Sequence, residues 1–577
     1  MSKLNIDQKT VKDLLADKNA DFLIPDYQRP YAWGEDECAT LWDDLRTFTF
    51  PDNNSDNFDP ATDEYFLGPI VTFKNETGKQ EIIDGQQRLT TILLLLRAFY
   101  DRFRNAKDNK TVKVREMISS CIWKTDEFNE PDTEHLKIDS EVASDDDKGE
   151  FLSILKYGNV TKDSKSAYAR NFLYFQNSVA KFTEEFSTYV ALFATRILNN
   201  VILLPIEAES QDTALRIFST LNDRGLPLAD ADIFKSQFYK HFSAEGRKDE
   251  FVQRWKALEE TSGRIFRGGT GTPMDELFTR YMYYRRARRH IHDTTTQSLR
   301  DFFGTNSYEM LKDDLALKDL EDLLGFWVRV DAQEGFSDRV LRRLFVLSYA
   351  PNGMWTYLLS VWFLANQDAN HELDESELYR FLNLITAFIY AYSIERPGVN
   401  ALRSPVYPQM ESIVDHRPVS FDAYKFGRED ITARFKAFAF TNQRRFTRSM
   451  LVWWAYTDPE QKLLNSDTAL EVEHIYARKR NQMDPLNNKA NLEALGNKAM
   501  LEKRINIRAS DYRFEDKRKY YLGSTTENGS TKPGTEIREL QLLAQDREDF
   551  TEEDIEQRTD KIIGAFVDYL GENGLLV

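Results

Sequence analysis

The sequence predicts a mainly helical α+β protein of several domains, and three observations predict it. The chain has 577 residues, several times the roughly 100–200 residues of a usual domain. Strand-like runs occur near the N-terminus, around 200–208 and around 469–476, whereas from about 241 to 440 the apolar spacing is helical throughout. Hydrophobic residues make up 41% of the chain, with 39 Phe, 26 Tyr and 9 Trp, which supplies core material and excludes a wholly disordered polypeptide.

Taken in order, IPDYQRPYAW (24–33) is a Pro-bounded aromatic segment, and EDECATLWDDLRTF (35–48) places Cys38, Leu41, Trp42 and Leu45 at helical spacing. LGPIVTF (67–73) and QEIIDG (80–85) read as two strands around the turn KNETGK. QRLTTILLLLRAFYDRF (87–103) is apolar almost all round and so predicts a buried helix. Residues 104–200 read as mostly helical, with SEVASDDDKGE as a solvated loop. They lead into a buried strand, NVILLPIEA (200–208), then the helix TALRIFSTL, the turn NDRG (222–225) and a second helix capped near Asp230. Past about 441 come the strand-like ALEVEHIY (469–476), the polar loop NQMDPLNNKAN, a short helical run and a C-terminal helix ending at LGENGLLV.

Two cysteines, Cys38 and Cys121, exclude a disulfide scaffold and a CxxC zinc site and point to a reducing compartment, so the cytoplasm is the expected location. The first residues, MSKLNIDQKTVKDLLADKN, lack an apolar leader segment, and the longest apolar runs fall short of the ~20 residues of a membrane span. The net charge of −18 argues against a protein that coats nucleic acid indiscriminately. Between His474 and Tyr520, however, twelve Lys and Arg face six Asp and Glu, a local +6 that leaves −24 for the rest. Such a segment marks either a polyanion site or a set of Lys-rich solvated helical faces.

IIDGQQRLT (82–90) is the most informative short stretch. Gly85 between strand and helix permits a close approach, the helix N-terminus favours an anion, and Arg88 adds a bidentate cation beside Gln86 and Gln87. The alternative is a plain strand-to-helix turn with Arg88 paired to Asp84. No GxxxxGK[ST] occurs, so a nucleotide site here is not a P-loop. YQRPYAW (27–33) and LNDRGLPL (221–228) each pair an Arg with turn residues and could complete a pocket or be ordinary turns. NEPDTEHLKID (129–139) has the wrong spacing for a nuclease core, and His135, His241, His371 and His416 lack neighbours at metal-ligand spacing. RRARRHIH (285–292) reads as a basic helix face, solvated or touching phosphate.

VEHIYARKR (472–480) differs. His474 follows Glu473 and precedes Arg478, Lys479 and Arg480, setting a titratable base beside an acid and phosphate-binding charge. Asn497 in LGNKAM and Asn506 in KRINIRASD follow at spacings that can bring strand, loop and helix to one point. Phosphodiester hydrolysis needs a base for water, oxygen ligands for a hard cation and positive charge for the phosphate. Neighbours on a regular strand point to opposite faces, so Glu473 and His474 share one ion only if the strand ends or twists there.

With these segments in order, the chain resembles the GmrSD-like, modification-dependent (type IV) restriction endonucleases of bacterial anti-phage defence. The N-terminal resemblance lies in IPDYQRPYAW, FLGPIVTF, EIIDGQQRLTTILLLL, HLKID and IFSTLNDRGLPLADADIFKSQFY, and the C-terminal one in EVEHIYARK, LEALGNKAMLE and INIRASDYRFEDKRKYY. It implies a ParB/sulfiredoxin-like α/β domain over 1–240 with a helical insert at about 104–199, a helical region over 241–440, and an HNH (ββα-metal) nuclease domain over 441–577. It further implies that Asp84, Gly85, Gln86, Gln87 and Arg88, with Tyr27, Gln28 and Arg29, bind and hydrolyse a nucleoside triphosphate. In the nuclease it makes His474 the general base and Asn497 the residue orienting its loop, with Glu473 and Asn506 holding Mg²⁺ or Mn²⁺. Arg478, Lys479, Arg480 and Lys498 would meet DNA, the implied partner, bearing phage modifications. Ala477 stands where the family commonly has the Pro of His-x-x-Pro, which puts the aim of the histidine in question. Two rivals stay open: a nucleotide switch whose degenerate HNH domain only binds DNA or a partner, and an RNA-cleaving toxin using the same His and Asn chemistry.

Overall fold

The computed structural model describes residues 5, 6 and 8–577 apart from 27, 29, 129, 143–146, 161–163, 211, 212, 215, 216, 218–229, 268–270, 292, 511 and 526–530. Tyr27, Arg29 and the LNDRG segment therefore lie outside the described residues. The chain is a mainly helical α+β protein and divides into two compact units, Met1–Ala257 and Leu258–Val577.

The first unit is built on a seven-stranded mixed sheet. Its strands are β1 (Asn5–Ile6), β2 (Lys9–Thr10), β3 (Phe22–Ile24), β4 (Tyr65–Lys74), β5 (Gln80–Asp84), β8 (Ile138–Ser140) and β9 (Val201–Ala208); β6 (Trp123–Thr125) and β7 (Pro131–Leu136) form a separate hairpin. The order is β1-β9-β4-β5-β3-β8, with β2 also on β9. The two strands expected around KNETGK form the antiparallel pair β4 and β5, and NVILLPIEA becomes β9, parallel to β4. NEPDTEHLKID, which has no nuclease spacing, supplies β7 and β8.

From Leu89 to Phe99 every residue of the Gln86–Phe103 helix is buried, because its leucines cover all sides and leave no face for water. The helices Asn109–Ile122 and Ala167–Glu185 pack against it. Arg97, buried within it, is satisfied by the Leu155 carbonyl at 2.9 Å and by Asp101.

The second unit is helical up to β10 (Leu470–His474). Helices Pro273–Arg288, Asp314–Ala332, Met354–Asn366 and Arg403–Val414 form one packed group, and Asp338–Ser348, Glu375–Glu395, Arg445–Ala455 and Glu552–Glu572 another. Trp453 meets Phe566 edge-on in the second group, their centroids 4.8 Å apart. β10 pairs antiparallel with β11 (Lys498–Glu502), and the helix Lys503–Ala509 follows β11 directly. Among the described residues no helix is long and apolar enough to cross a membrane.

Candidate active site

His474 is the last residue of β10 and lies opposite Lys498 of β11. The pleat of the strand separates it from its neighbour. Glu473 Oε1 accepts from Lys517 Nζ at 2.6 Å and from the Tyr521 hydroxyl at 2.8 Å, while the same Lys517 ammonium donates to the His474 carbonyl at 2.6 Å. The His474 ring instead approaches Glu493, with Nε2 3.4 Å from Oε1.

Beyond the strand the chain is held by Asn497, which is fully buried. Its Oδ1 accepts from the Tyr476 N–H at 2.7 Å, and its Nδ2 donates to the carbonyls of Tyr476 (3.1 Å) and Leu492 (2.9 Å). Its carbonyl takes the Ile475 N–H at 2.9 Å. One side chain thus spans the turn after the histidine and the loop before β11, an arrangement an apolar residue could not reproduce. Ala477 has φ −66° and ψ 146°, the dihedral a proline ring would impose. The backbone at this position is therefore one that a proline could adopt.

Glu493 is the group that sequence reasoning missed. Its Oε2 lies 2.5 Å from Lys498 Nζ, and its Oε1 lies 2.9 Å from Arg478 Nη2 as well as near the His474 ring. Burial alone would raise its carboxyl, but Lys498, Arg478 and His474 hold it below the usual range. His474 is pushed down to about 4, first by burial and then by the Lys498 charge, with Glu493 opposing. The ring is accordingly neutral at neutral pH, the form that can accept a proton. The signal available in the sequence was the carboxylate four residues before Asn497, in LEALGN.

Two of the four residues assigned to DNA are corrected. Lys498 is wholly buried, its ammonium enclosed by Glu493, by Asn442 Oδ1 at 2.8 Å and by the Phe440 carbonyl. Arg480 is buried too, forked onto Asp549 at 2.6 and 2.8 Å and stacked over Tyr476. Both satisfy the rule that a buried charge is paired, and neither is free for phosphate. Arg478 and Lys479 remain exposed.

Asn506, on the helix after β11, donates from Nδ2 to Glu471 Oε2 at 3.0 Å. Glu471 and Glu473 share one face of β10, so Asn506 belongs to the side opposite His474. The pair expected to hold a divalent ion is thus on one side of the hairpin. As the side chains stand, Glu473 Oε1 is taken by the Lys517 ammonium and the Tyr521 hydroxyl, so that oxygen reaches a cation only if Lys517 moves away.

The site is closed from behind by the Glu552–Glu572 helix. A Cβ on Gly496 would lie 2.0 Å from the Ile555 carbonyl oxygen and 2.6 Å from the Thr559 nitrogen, so only glycine admits that approach. Arg558 Nη1 donates to the carbonyls of Gly496 (2.8 Å) and Lys498 (2.7 Å), and Thr559 Oγ1 accepts from the Gly496 N–H at 3.0 Å.

In the first unit Gly85 has φ 93° and ψ 3° at the N-cap of the Gln86–Phe103 helix, a left-handed conformation that favours glycine. Arg88 Nη2 bonds Asp84 Oδ2 at 3.0 Å and leans against Gly68, where a Cβ would meet its guanidinium. Gln87 joins this turn to the aromatic segment: Oε1 accepts from the N–H groups of Ala32 (2.8 Å) and Trp33 (3.2 Å), and Nε2 donates to the Pro30 carbonyl. Gln28 Nε2 reaches the carbonyls of Ile82 and Ile83 at 3.2 and 3.1 Å. Gln86 is buried at the start of the helix. Gln28, Pro30, Ala32 and Trp33 are therefore tied to the strand and turn of DGQQR.

Comparison with known families decides the kinship. The GmrSD restriction endonuclease N-terminal domain matches residues 11–239, and the GmrSD restriction endonuclease C-terminal domain matches residues 427–565. The chain belongs to the GmrSD restriction endonuclease family. No curated protein matches the chain. The N-terminal GmrSD match contains the sheet's strands from β3 onward, together with the DGQQR turn, and the C-terminal one contains β10, β11, Asn506 and Arg558.

Proposed function

We propose that this GmrSD chain is a nucleotide-regulated, divalent-metal-dependent endonuclease that cuts or nicks foreign, modified DNA, with an HNH-type centre at β10 and β11 and NTPase activity at DGQQR. The observation that carries the reading is the placement of His474 at a strand end, its following turn fixed by Asn497, in a hairpin continued by a helix. The ring is the general base for water. Exposed Arg478, Lys479, Lys503 and Arg504 offer the phosphate contacts. Mg²⁺ or Mn²⁺ on Glu473 and Asn506 is part of the proposal on family resemblance alone, and it requires Lys517 to withdraw from Glu473. At the other end, the Gly85 N-cap and Arg88 support a phosphate cradle, with Arg88 exchanging Asp84 for the nucleotide.

The Lys517–Glu473 pair favours one rival, a nucleotide switch whose nuclease-like domain only binds DNA. Incubation of the purified protein with modified and unmodified plasmid, with and without Mn²⁺ and each nucleoside triphosphate, separates the two. Nicking that His474→Ala lowers by about 10²–10⁴-fold while DNA binding persists is the expected result. Absence of nicking under every condition refutes the enzyme and leaves the switch.

A further inference from the structure

The two nitrogens of the His474 ring are not equivalent. Nε2 is closed off from solvent and has no hydrogen-bond partner among the described residues, and Glu493 Oε1 faces it at 3.4 Å. Water does not reach a nitrogen so enclosed, so a base at this position has to work through Nδ1. A neutral imidazole offers a lone pair at Nδ1 only when its proton sits on Nε2. Placing the ring is therefore not enough; the tautomer has to be set as well.

Glu493 is the group able to set it. Paired with Lys498 at 2.5 Å and with Arg478 at 2.9 Å, it is a carboxylate, which accepts hydrogen bonds and donates none. Facing Nε2, such a group attracts an N–H and repels a lone pair. It is also held in place, because the wholly buried Lys498 is itself anchored by the Phe440 carbonyl and by Asn442 Oδ1 at 2.8 Å. The strand register sets His474 opposite Lys498, so the pairing of β10 with β11 positions the ring and the anchor of the carboxylate together.

We infer that, given His474 as the general base of the proposed reaction, Glu493 is its positioning residue: it keeps the ring proton on Nε2 and so leaves Nδ1 free to take a proton from water. The same carboxylate then faces the imidazolium that forms when Nδ1 is protonated.

Glu493→Gln tests this with little change of shape. The Lys498 ammonium requires an oxygen, which turns the amide NH₂ of the glutamine toward His474 and makes Nε2 the acceptor. Two-bond ¹H–¹⁵N spectra of the full-length protein labelled in its histidine rings, at neutral pH without metal and assigned against His474→Gln, read the tautomer. The parent should carry the His474 proton on Nε2 alone, and Glu493→Gln should move it to Nδ1. The kcat for plasmid nicking should fall about 10–100-fold with KM unchanged, and Glu493→Asp should keep part of it. A parental ring protonated on Nδ1 or on both nitrogens overturns the inference whatever the activity, as does an unmoved tautomer or a parental kcat in Glu493→Gln. If His474→Ala abolishes nicking and Glu493→Gln does not, Glu493 fails and the base stands. A parent that nicks nothing refutes the base, and the tautomer shift alone then upholds or overturns the control of the ring by Glu493. Should Glu493→Gln fail to fold by circular dichroism, the pair Glu493→Leu with Lys498→Leu removes both charges together, and its ring should lose the single tautomer.

Discussion

Lys517 Nζ stands 2.6 Å from Glu473 Oε1, and the two side chains are only 1% and 5% exposed. Each makes the other's burial tolerable, so removing one strands the other. Lys517→Met should cost about 3–5 kcal/mol in urea unfolding without added metal. Mn²⁺ should then recover part of that loss if Glu473 is a cation seat; a midpoint indifferent to Mn²⁺ would count against Glu473 as a ligand.

The neutrality of His474 has a pH signature. Its folded value of about 4 lies below its ordinary 6.5, so between those limits the unfolded chain binds more protons. Its contribution is complete above pH 6.5 and is lost as pH falls toward 4. Urea midpoints measured across pH 4–7 should fall less steeply for His474→Gln than for the parent.

Gly496 touches the backbone of the last long helix. Gly496→Ala must displace the Ile555 carbonyl or the loop itself, at a cost of about 2–3 kcal/mol, and thermal unfolding should show it. Lowered nicking in that variant should accompany a lowered melting temperature.

Ala477→Pro should be tolerated, since the native φ of −66° already matches the ring. The expected change is a gain of about 0.4–1 kcal/mol through the unfolded chain, read from chemical denaturation. A marked loss would mean that the neighbouring side chains, and not the dihedral, forbid the proline.

Arg478 and Arg480 should separate cleanly. Arg478→Ala should weaken DNA binding and flatten its salt dependence, whereas Arg480→Ala should cost about 1–3 kcal/mol of stability through Asp549 and Phe550. Filter binding at several salt concentrations and urea unfolding measure the two effects.

Much of the frame was legible because its causes are local. The leucines of 93–96 bury their helix whatever surrounds them, and the alternation around KNETGK needs only its own turn to make β4 and β5. Family resemblance pointed to Asn497 as the residue orienting the histidine's loop, and the bonds it makes to Tyr476 could not be read from spacing alone. What stayed hidden depends on partners distant in sequence. Lys498 reads as surface charge inside a basic segment, yet Phe440 and Asn442 supply the acceptors that let it be buried. Glu493 gains its place from Arg478, Lys498 and His474 together, a meeting of two segments that no periodicity records. Alternation did warn that Glu473 and His474 would part, and the pleat separates them.

Arg558 grips the carbonyls on either side of Asn497 from a helix that begins more than fifty residues downstream. The β10–β11 hairpin is therefore not a portable cassette. A chimera that grafts 470–509 onto another scaffold, or a shortened chain ending before Thr551, would carry every proposed catalytic residue and lack the clasp that shapes their loop. Exchange among relatives should succeed only when the hairpin and the closing helix travel together.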